Sequence, residues 1–208
     1  IIMIKEKYIH LCKTAADNQS AIDRLYEIVK VLRVECPWDR VQTHESLRPG
    51  MLEEAYETVD AINNQDMVNL REELGDVLLQ VVFHSILGEE ASNFDLKDVI
   101  NEECEKMIRR HPHVFLQENT NNTPKSIDKV LEKWENIKEK ERGETKTASR
   151  LAKVPRALPA LTRAYKVQKK AADVGFDWDD VSGAFDKVHE ETRELTECCK
   201  AETVDKKA

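Results

Sequence analysis

The chain has 208 residues, 40% hydrophobic and 35% charged, with a formal net charge of −8. This acidic balance argues against general attraction to nucleic acid or acidic membranes, and no run of about 18 apolar residues could span a bilayer. The opening residues 1–4 are too short for the apolar core of a signal peptide, and the five cysteines show no C-x-x-C spacing. We therefore expect a cytoplasmic protein with reduced thiols and neither a nucleic-acid nor a membrane partner.

Apolar residues recur at helical steps of three and four along most of the chain. Pro37 ends the first predicted helix, and Pro49, favourable in a first turn, begins the second. Asn69 with Glu72 resembles a capping arrangement for the third helix, and Asp95 caps the fourth. No segment alternates with period two, so the predicted fold class is all-α, a helical bundle. The predicted helices cover about 18–35, 49–63, 69–91, 95–110, 126–142, 158–173 and 181–202.

The middle of the third predicted helix, 77–83, is apolar on nearly every side. Such a helix must be covered by its own bundle or by a partner chain. The polar stretch 117–125 predicts a loop, and a second polar stretch predicts a linker over 143–157.

A motif that occurs twice in the sequence indicates an internal duplication, although chance similarity in a Glu-rich chain is the alternative. The first copy is Trp38-Asp39 followed by Glu53-Glu54-x-x-Glu57, and the second is Trp178-Asp179 followed by Glu190-Glu191-x-x-Glu194. We predict a first helical domain over 18–142 and a truncated second repeat over 158–208.

Two pairs of acids carry the main chemical signal. Glu54 and Glu57 share one helix face, and Glu73 and Asp76 share a face of the next helix. If these helices pack antiparallel across the short 64–68 connection, four carboxylates converge. Like charges at that distance raise their pKa values or bind cations, and oxygen ligands favour Mg²⁺ or Mn²⁺.

Two other interpretations of these acids are open. A solvated acidic face is the common one, but apolar neighbours flank Glu73 and Asp76, and no Lys or Arg occurs between Glu72 and Lys97. A di-iron bundle would need Glu-x-x-His pairs, which are absent here. His84 fits better as a packed or interface histidine.

Basic residues follow at the end of the fourth helix. Lys106, Arg109 and Arg110 could grip a triphosphate, or could simply complement the helix C-terminus. Trp134 with Lys138 one turn later offers a stacking surface beside a cation, although an ordinary core tryptophan fits as well.

Longer patterns then occur in order along 20–202. They are Cys36-Pro37-Trp38-Asp39, Leu52-Glu53-Glu54-Ala55-Tyr56-Glu57, Glu73-Leu74-Gly75-Asp76, Arg109-Arg110-His111-Pro112-His113-Val114-Phe115 and Trp134-Glu135-x-Ile137-Lys138. Together they closely resemble the MazG family of nucleoside triphosphate pyrophosphohydrolases.

This resemblance implies an all-α enzyme, assembled as a homodimer of helical bundles, that uses Mg²⁺ to hydrolyse nucleoside triphosphates (NTP) to NMP and diphosphate. Broad base tolerance and a role in cleaning the nucleotide pool are further expectations. Glu53 would be an additional ligand or the base for the attacking water. By the same resemblance, Glu54, Glu57, Glu73 and Asp76 are the metal ligands, Lys106 and Arg110 face the phosphates, and Trp134 and Lys138 lie near the nucleotide. Arg109, beside Arg110, is a further candidate for substrate binding.

The sequence departs from the two-repeat pattern of the family in its second half. An E-x-x-D motif spaced from Glu194 as Glu73 is from Glu57 would fall beyond Ala208. The second repeat is therefore not expected to complete a metal site from this chain. The alternative function is a helical dimer that binds nucleotide or a regulatory protein without catalysis, and a purely structural acidic bundle is a third possibility.

Overall fold

The computed structural model describes residues 5–115, 126–142, 151, 154–178 and 180–200. These residues form helices joined by turns, with no β-strand among them, which confirms the predicted all-α class. The chain divides into two compact units, Ile1–Gln117 and Glu118–Ala208. Within the described ranges, no helix has the length and apolarity needed to cross a bilayer.

The helices follow the order of the apolar patterns in the sequence. A short 3-10 helix at Glu6–Tyr8 comes first. In the first unit the α-helices are α1 (Asn18–Glu35), α2 (Pro37–Arg40), α3 (His44–Asn63), α4 (Met67–Glu90), α5 (Leu96–Arg110) and α6 (Pro112–Phe115), and in the second unit they are α7 (Ile127–Arg142), α8 (Ala160–Ala172) and α9 (Val181–Lys200).

The core of the first unit lies where α1, α3 and α4 meet. Val29 of α1 and Val82 of α4 are fully buried, and Leu47 of α3 packs with them. This explains the nearly all-round apolar middle of α4, because α1 and α3 both contact it and α5 packs against it as well. The other buried members of the core are Phe83, Ile86 and Leu87.

Arg33 ties the end of α1 to the end of α4. Its guanidinium donates to both carboxylate oxygens of Glu90, with Nε–Oε1 at 2.9 Å and Nη2–Oε2 at 2.6 Å. The same group donates to the backbone carbonyls of Asp39 and Gln42 and lies over the Phe83 ring. One side chain therefore links α1, the α2–α3 corner and α4.

The start of α3 differs from the prediction. The helix begins at His44 instead of near Pro49, which lies inside it. Thr43 and Ser46 form a capping box in which each side chain accepts from the other residue's backbone N–H, at 3.2 and 2.9 Å. This cap stabilises the first turn, and the helix tolerates the missing N–H of Pro49 in its second turn.

The helix α4 begins two residues before the predicted position. Asp66, not Asn69, is its N-cap, and the Asp66 carboxylate accepts from the backbone N–H groups of Val68 and Asn69 at 3.1 and 3.0 Å. Gln65 adopts the left-handed conformation (φ 57°) just before it. This tight turn reverses the chain and lays α4 back along α3.

The first compact unit ends near residue 117, whereas the sequence-based division placed the first domain at 18–142. The division into 18–142, 143–157 and 158–208 stays a prediction. The predicted loop 117–125, residues 143–150 and 152–153 of the predicted linker, and Asp179 of the second Trp-Asp motif lie outside the described residues.

Candidate metal and nucleotide site

The helices α3 and α4 are antiparallel and meet in a regular row of residue pairs. His44 faces His84 near the start of α3. Gly50 faces Gln80 about two turns further along α3. The acids follow one turn beyond Gly50, because residues at four-residue steps share a face of the helix. As residue numbers rise along α3, their partners' numbers fall along α4.

Three carboxylates converge in this row. Glu54 and Glu57 of α3 and Glu73 of α4 each offer an oxygen, and these oxygens lie within 4.8 Å of one another. We call these three residues the acid cluster. Glu57 is exposed and Glu54 partly exposed, whereas Glu73 is only 9% exposed. The cluster therefore reaches from solvent to the buried surface of α4.

The charges of the acid cluster oppose one another. The pKa of Glu73 is raised, first by burial and then by repulsion from the carboxylates of Glu57 and Asp76. Burial also raises the pKa of Glu54, and the charge of Asp76 is the next largest cause. In both groups ionisation is disfavoured because desolvation and the neighbouring negative charges both penalise the charged form.

Asp76 and Glu53 lie at the border of the acid cluster. Asp76 is partly exposed and contributes its charge to both Glu54 and Glu73. Glu53 is exposed on α3, and its charge also raises the pKa of Glu54. The charges of the other four predicted acids all act on Glu54, and three of the five acids meet at the distance a shared cation requires.

The acid cluster fits a hard divalent cation. It offers only carboxylate oxygens, which Mg²⁺ and Mn²⁺ prefer over soft ligands. Repulsion among these carboxylates contributes to the raised pKa values of Glu54 and Glu73, and a bound cation would offset that repulsion. Lys and Arg are absent from 73–96, and Arg71, two residues before Glu73 on α4, does not share the helix face of Glu73.

The predicted phosphate-binding residues lie on α5, which packs against α4. Lys106 is partly buried and forms an ion pair with Glu103 on its own helix. Arg109 is exposed and Arg110 partly buried in the last turn. A groove of about 410 Å³ along α5 is lined by Lys106, Arg109 and three glutamates of the same helix. Lys106 and Arg109 therefore line a surface that carries both positive and negative charges.

Trp134 and Lys138 lie on α7 in the second unit. The Lys138 ammonium lies 4.5 Å from the centroid of the Trp134 ring, which is a cation–π geometry. Both side chains are partly buried. Their predicted role near the nucleotide stays a prediction.

Sequence reasoning missed a histidine pair in the α3–α4 row. The Nδ1 atoms of His44 and His84 lie 2.7 Å apart, and the two rings are stacked with centroids 5.0 Å apart. Burial and the neighbouring His44 lower the pKa of His84. The predicted packed role of His84 therefore agrees with its surroundings, but no sequence pattern pointed to His44 as its partner.

The acids of the second unit are arranged differently. Lys187 of α9 forms ion pairs with Glu190 and Glu191, both at 3.0 Å. These pairs raise the pKa of Lys187. Two of the three glutamates in the second copy of the motif are thus paired with a lysine of their own helix.

Comparison with known proteins identifies the family of the chain. Residues 42–115, from the α2–α3 corner to the end of α6, match the MazG nucleotide pyrophosphohydrolase domain. Over 177 residues the chain is 45% identical to a nucleoside triphosphate pyrophosphohydrolase of Escherichia coli (strain K12), covering 84% of this chain. The chain belongs to the MazG family. A Thermotoga maritima relative, "Nucleoside triphosphate pyrophosphohydrolase/pyrophosphatase MazG", matches with the same identity and coverage.

The chain matches only part of the length of these relatives, and it also resembles a solved structure. The chain spans 66% of the length of both relatives. The crystal structure of a mazG-related protein from Thermotoga maritima is 27% identical, with a TM-score of 0.47, over 56% of this chain and 98% of that chain.

Proposed function

We propose that this protein is a Mg²⁺-dependent nucleoside triphosphate pyrophosphohydrolase that converts NTP and water to NMP and diphosphate. The observation that carries the proposal is the convergence of Glu54, Glu57 and Glu73 within 4.8 Å inside a matched MazG domain. Mn²⁺ is a possible substitute for Mg²⁺ because both are hard cations with oxygen ligands.

The proposed ligands are the acid cluster and Asp76, whose charge already acts on Glu54. A bound divalent cation supplies positive charge against the triphosphate and lowers the pKa of a coordinated water. The three carboxylates of the acid cluster come from two packed helices, which position their oxygens before substrate arrives and so reduce the reorganisation needed in the transition state.

The proposed reaction is attack of water on the α-phosphorus. A P–O bond to the attacking oxygen forms, the bond from the α-phosphorus to the bridging oxygen breaks, and diphosphate leaves. Glu53 is the proposed acceptor of the water's proton, because it is exposed at the edge of the acid cluster and accessible to solvent. The residues proposed to offset the negative charge of the phosphates in the transition state are Lys106, Arg109 and Arg110.

The nucleotide specificity we propose is broad. Trp134 offers a ring face, and stacking on a ring face discriminates little between bases. Lys138, whose ammonium lies over the Trp134 ring, is the proposed positive charge beside the bound nucleotide. Broad specificity would suit a role in cleaning the nucleotide pool.

We further propose a homodimer. Exposed apolar residues form a stripe at helical spacing on α3, Leu52, Tyr56 and Val59, and α4 adds Leu74 and Leu78. These side chains lie on the two helices that carry the acid cluster. An apolar surface of this kind is typical of a protein interface.

The decisive experiment is product analysis with a panel of NTPs and Mg²⁺. We expect NMP and diphosphate as first products, and a loss of kcat on the order of 1,000-fold in Glu54→Gln, because charge stabilisation by a bound cation is worth several kcal/mol. The matched control Glu27→Gln alters an exposed glutamate of α1 and should keep full activity.

Orthophosphate as the first product would reject the proposal. Intact NTP after long incubation, together with nucleotide binding that does not require a metal, would support the non-catalytic alternative. Absence of any Mg²⁺-induced rise in Tm would favour a purely structural bundle.

A further inference from the structure

One polar side chain lies in the α3–α4 row next to the acid cluster without belonging to it. Gln80 follows Asp76 by four residues on α4, and Gly50 precedes Glu54 by four residues on α3. Residues at this spacing lie one helical turn apart on the same face. Gly50 and Gln80 therefore face each other one turn from the acids.

Gly50 leaves the space that Gln80 occupies. A Cβ atom on Gly50 would lie 3.0 Å from Nε2 and 3.8 Å from Cδ of Gln80. The carboxamide is thus held against bare backbone of α3 in the groove between the helices. An added Cβ at position 50 would require the amide to move by a few tenths of an ångström, and a longer side chain would displace it further.

The carboxamide is chemically suited to a ligand of the acid cluster. It is half-buried and makes no hydrogen bond to another residue in the part of the chain that the structure describes. Ionised carboxylates only accept hydrogen bonds, whereas the Gln80 amide has two N–H donors. Because 73–96 contains no Lys or Arg, Gln80 provides the donor on α4 closest in the row to Asp76.

We propose that Gln80 is a substrate-binding residue whose amide donates to a phosphoryl oxygen of the NTP held at the acid cluster, and that Gly50 is the positioning residue that leaves it room. The proposal rests on the proposed function. Hydrogen bonds to a charged acceptor are stronger than neutral ones, so this single contact contributes measurably to nucleotide binding.

The first test is Gln80→Ala. We expect KM for NTP to rise about tenfold, the size of one lost hydrogen bond to a charged group, with kcat changed less than about twofold. The Kd of a non-hydrolysable NTP analogue in Mg²⁺ should rise by the same factor. The Tm increase caused by Mg²⁺ alone should stay, since Gln80 serves the nucleotide and not the cation.

A second variant protects the test against a simple packing effect. Gln80→Glu keeps the length of the side chain but replaces the donor with a charged acceptor. We expect a larger rise in KM than for Gln80→Ala, because the carboxylate repels the phosphate. Equal KM values in Gln80→Glu and the wild type would overturn the assignment.

The third test concerns Gly50. Gly50→Ala should raise KM in the wild-type background and leave it unchanged when Gln80→Ala is already present, because the added methyl acts only by displacing the amide. The matched control is Gly75→Ala on α4, where an added Cβ meets nothing within 4 Å and KM should stay constant. Equal effects of Gly50→Ala in both backgrounds would remove the positioning role.

Failure of this inference differs from failure of the proposed function. An unchanged KM and Kd in Gln80→Ala, with active wild type, would overturn the role of Gln80 alone. Loss of the Mg²⁺-induced Tm increase in that variant would also overturn it, since Gln80 would then act on the cation. A wild-type protein that neither binds nor hydrolyses NTP would overturn the function itself.

Discussion

Glu73 is the acid whose surroundings oppose its charge most directly, since it is buried against α4 and faces other carboxylates. Its pKa lies above the ordinary value of 4.5. The folded protein therefore holds this proton more tightly than the unfolded chain. The stability that Glu73 contributes is present below pH 4.5 and is lost as pH rises through the folded pKa.

The raised pKa of Glu73 leads to a prediction for the metal-free protein. The Tm of Glu73→Gln should exceed that of the wild type at pH 7.5 in EDTA, because the variant removes a buried negative charge. Thermal unfolding with and without Mg²⁺ measures it. The Mg²⁺-induced rise in Tm should largely vanish in the variant.

The control for this prediction is Glu35, an acid whose pKa is lowered instead of raised. Lys7 and Tyr8 lower the pKa of Glu35 to about 2, so its contribution is present above pH 4.5 and is lost only as pH falls towards 2. Glu35→Gln should therefore not raise the Tm at pH 7.5. A Glu73→Gln variant less stable than the wild type in EDTA would contradict the electrostatic account.

The sequence predicts much of the acid cluster but not its neighbours. Helical spacing and the short turn at 64–66 are enough to bring Glu54, Glu57 and Glu73 together. The contact of Gly50 with Gln80 depends on how closely the two helices approach. That distance is set by the core, so no local spacing rule provides it.

At the scale of helices, Arg33 is the side chain on which the arrangement of α1 and α4 depends most. Its side chain is only 11% exposed and forms a two-pronged contact with Glu90. Its pKa is raised, first by the hydrogen bond to Glu90. Lysine cannot reproduce this fork or serve two backbone carbonyls at the same time.

We predict that Arg33→Lys destabilises the protein by about 1–3 kcal/mol, the cost of part-buried backbone carbonyls left without donors. Urea unfolding monitored by circular dichroism measures the change. Lys30→Ala breaks a neighbouring exposed pair with Glu89 and should cost at most about 1 kcal/mol. Equal losses in the two variants would show that the burial of Arg33 is unimportant.

Helix boundaries show where sequence patterns succeed and fail. The end of α1 before Pro37 and the Asp95 cap of α5 follow the prediction, because each depends on local backbone chemistry. The start of α3 does not. Pro49 suggested a first turn, whereas Thr43 and Ser46 cap the helix earlier in a pairing that departs from the usual Ser/Thr-x-x-Glu pattern.

At the scale of the whole molecule, exposed apolar side chains on α3 and α4 support the proposed homodimer. We predict that the wild-type chain elutes at twice its monomer mass in size-exclusion chromatography with light scattering. Val59→Lys should shift it towards the monomer, because a charge at the interface is not compensated. Val59 is 51% exposed on α3.

The matched control is Val34→Lys, which makes the same change on α1 at a residue that is 69% exposed. This variant should keep the mass of the wild type. A monomeric wild type, or a dimer that both variants leave intact, would contradict an interface on α3. The division into 18–142 and 158–208 stays a prediction, since composition marks polar stretches and not where compact packing ends.

The position of Arg33 also limits how sequences of this fold can vary. The turn at Gln65 joins α3 to α4 at one end, and the guanidinium holds the backbone at Asp39 and Gln42 against the other end of α4. With both ends fastened, α3 cannot slide lengthwise past its neighbour. An extra residue inserted between Gln42 and His44 would have to bulge outward locally, and the alignment of opposing carboxylates deeper along the helices would survive it.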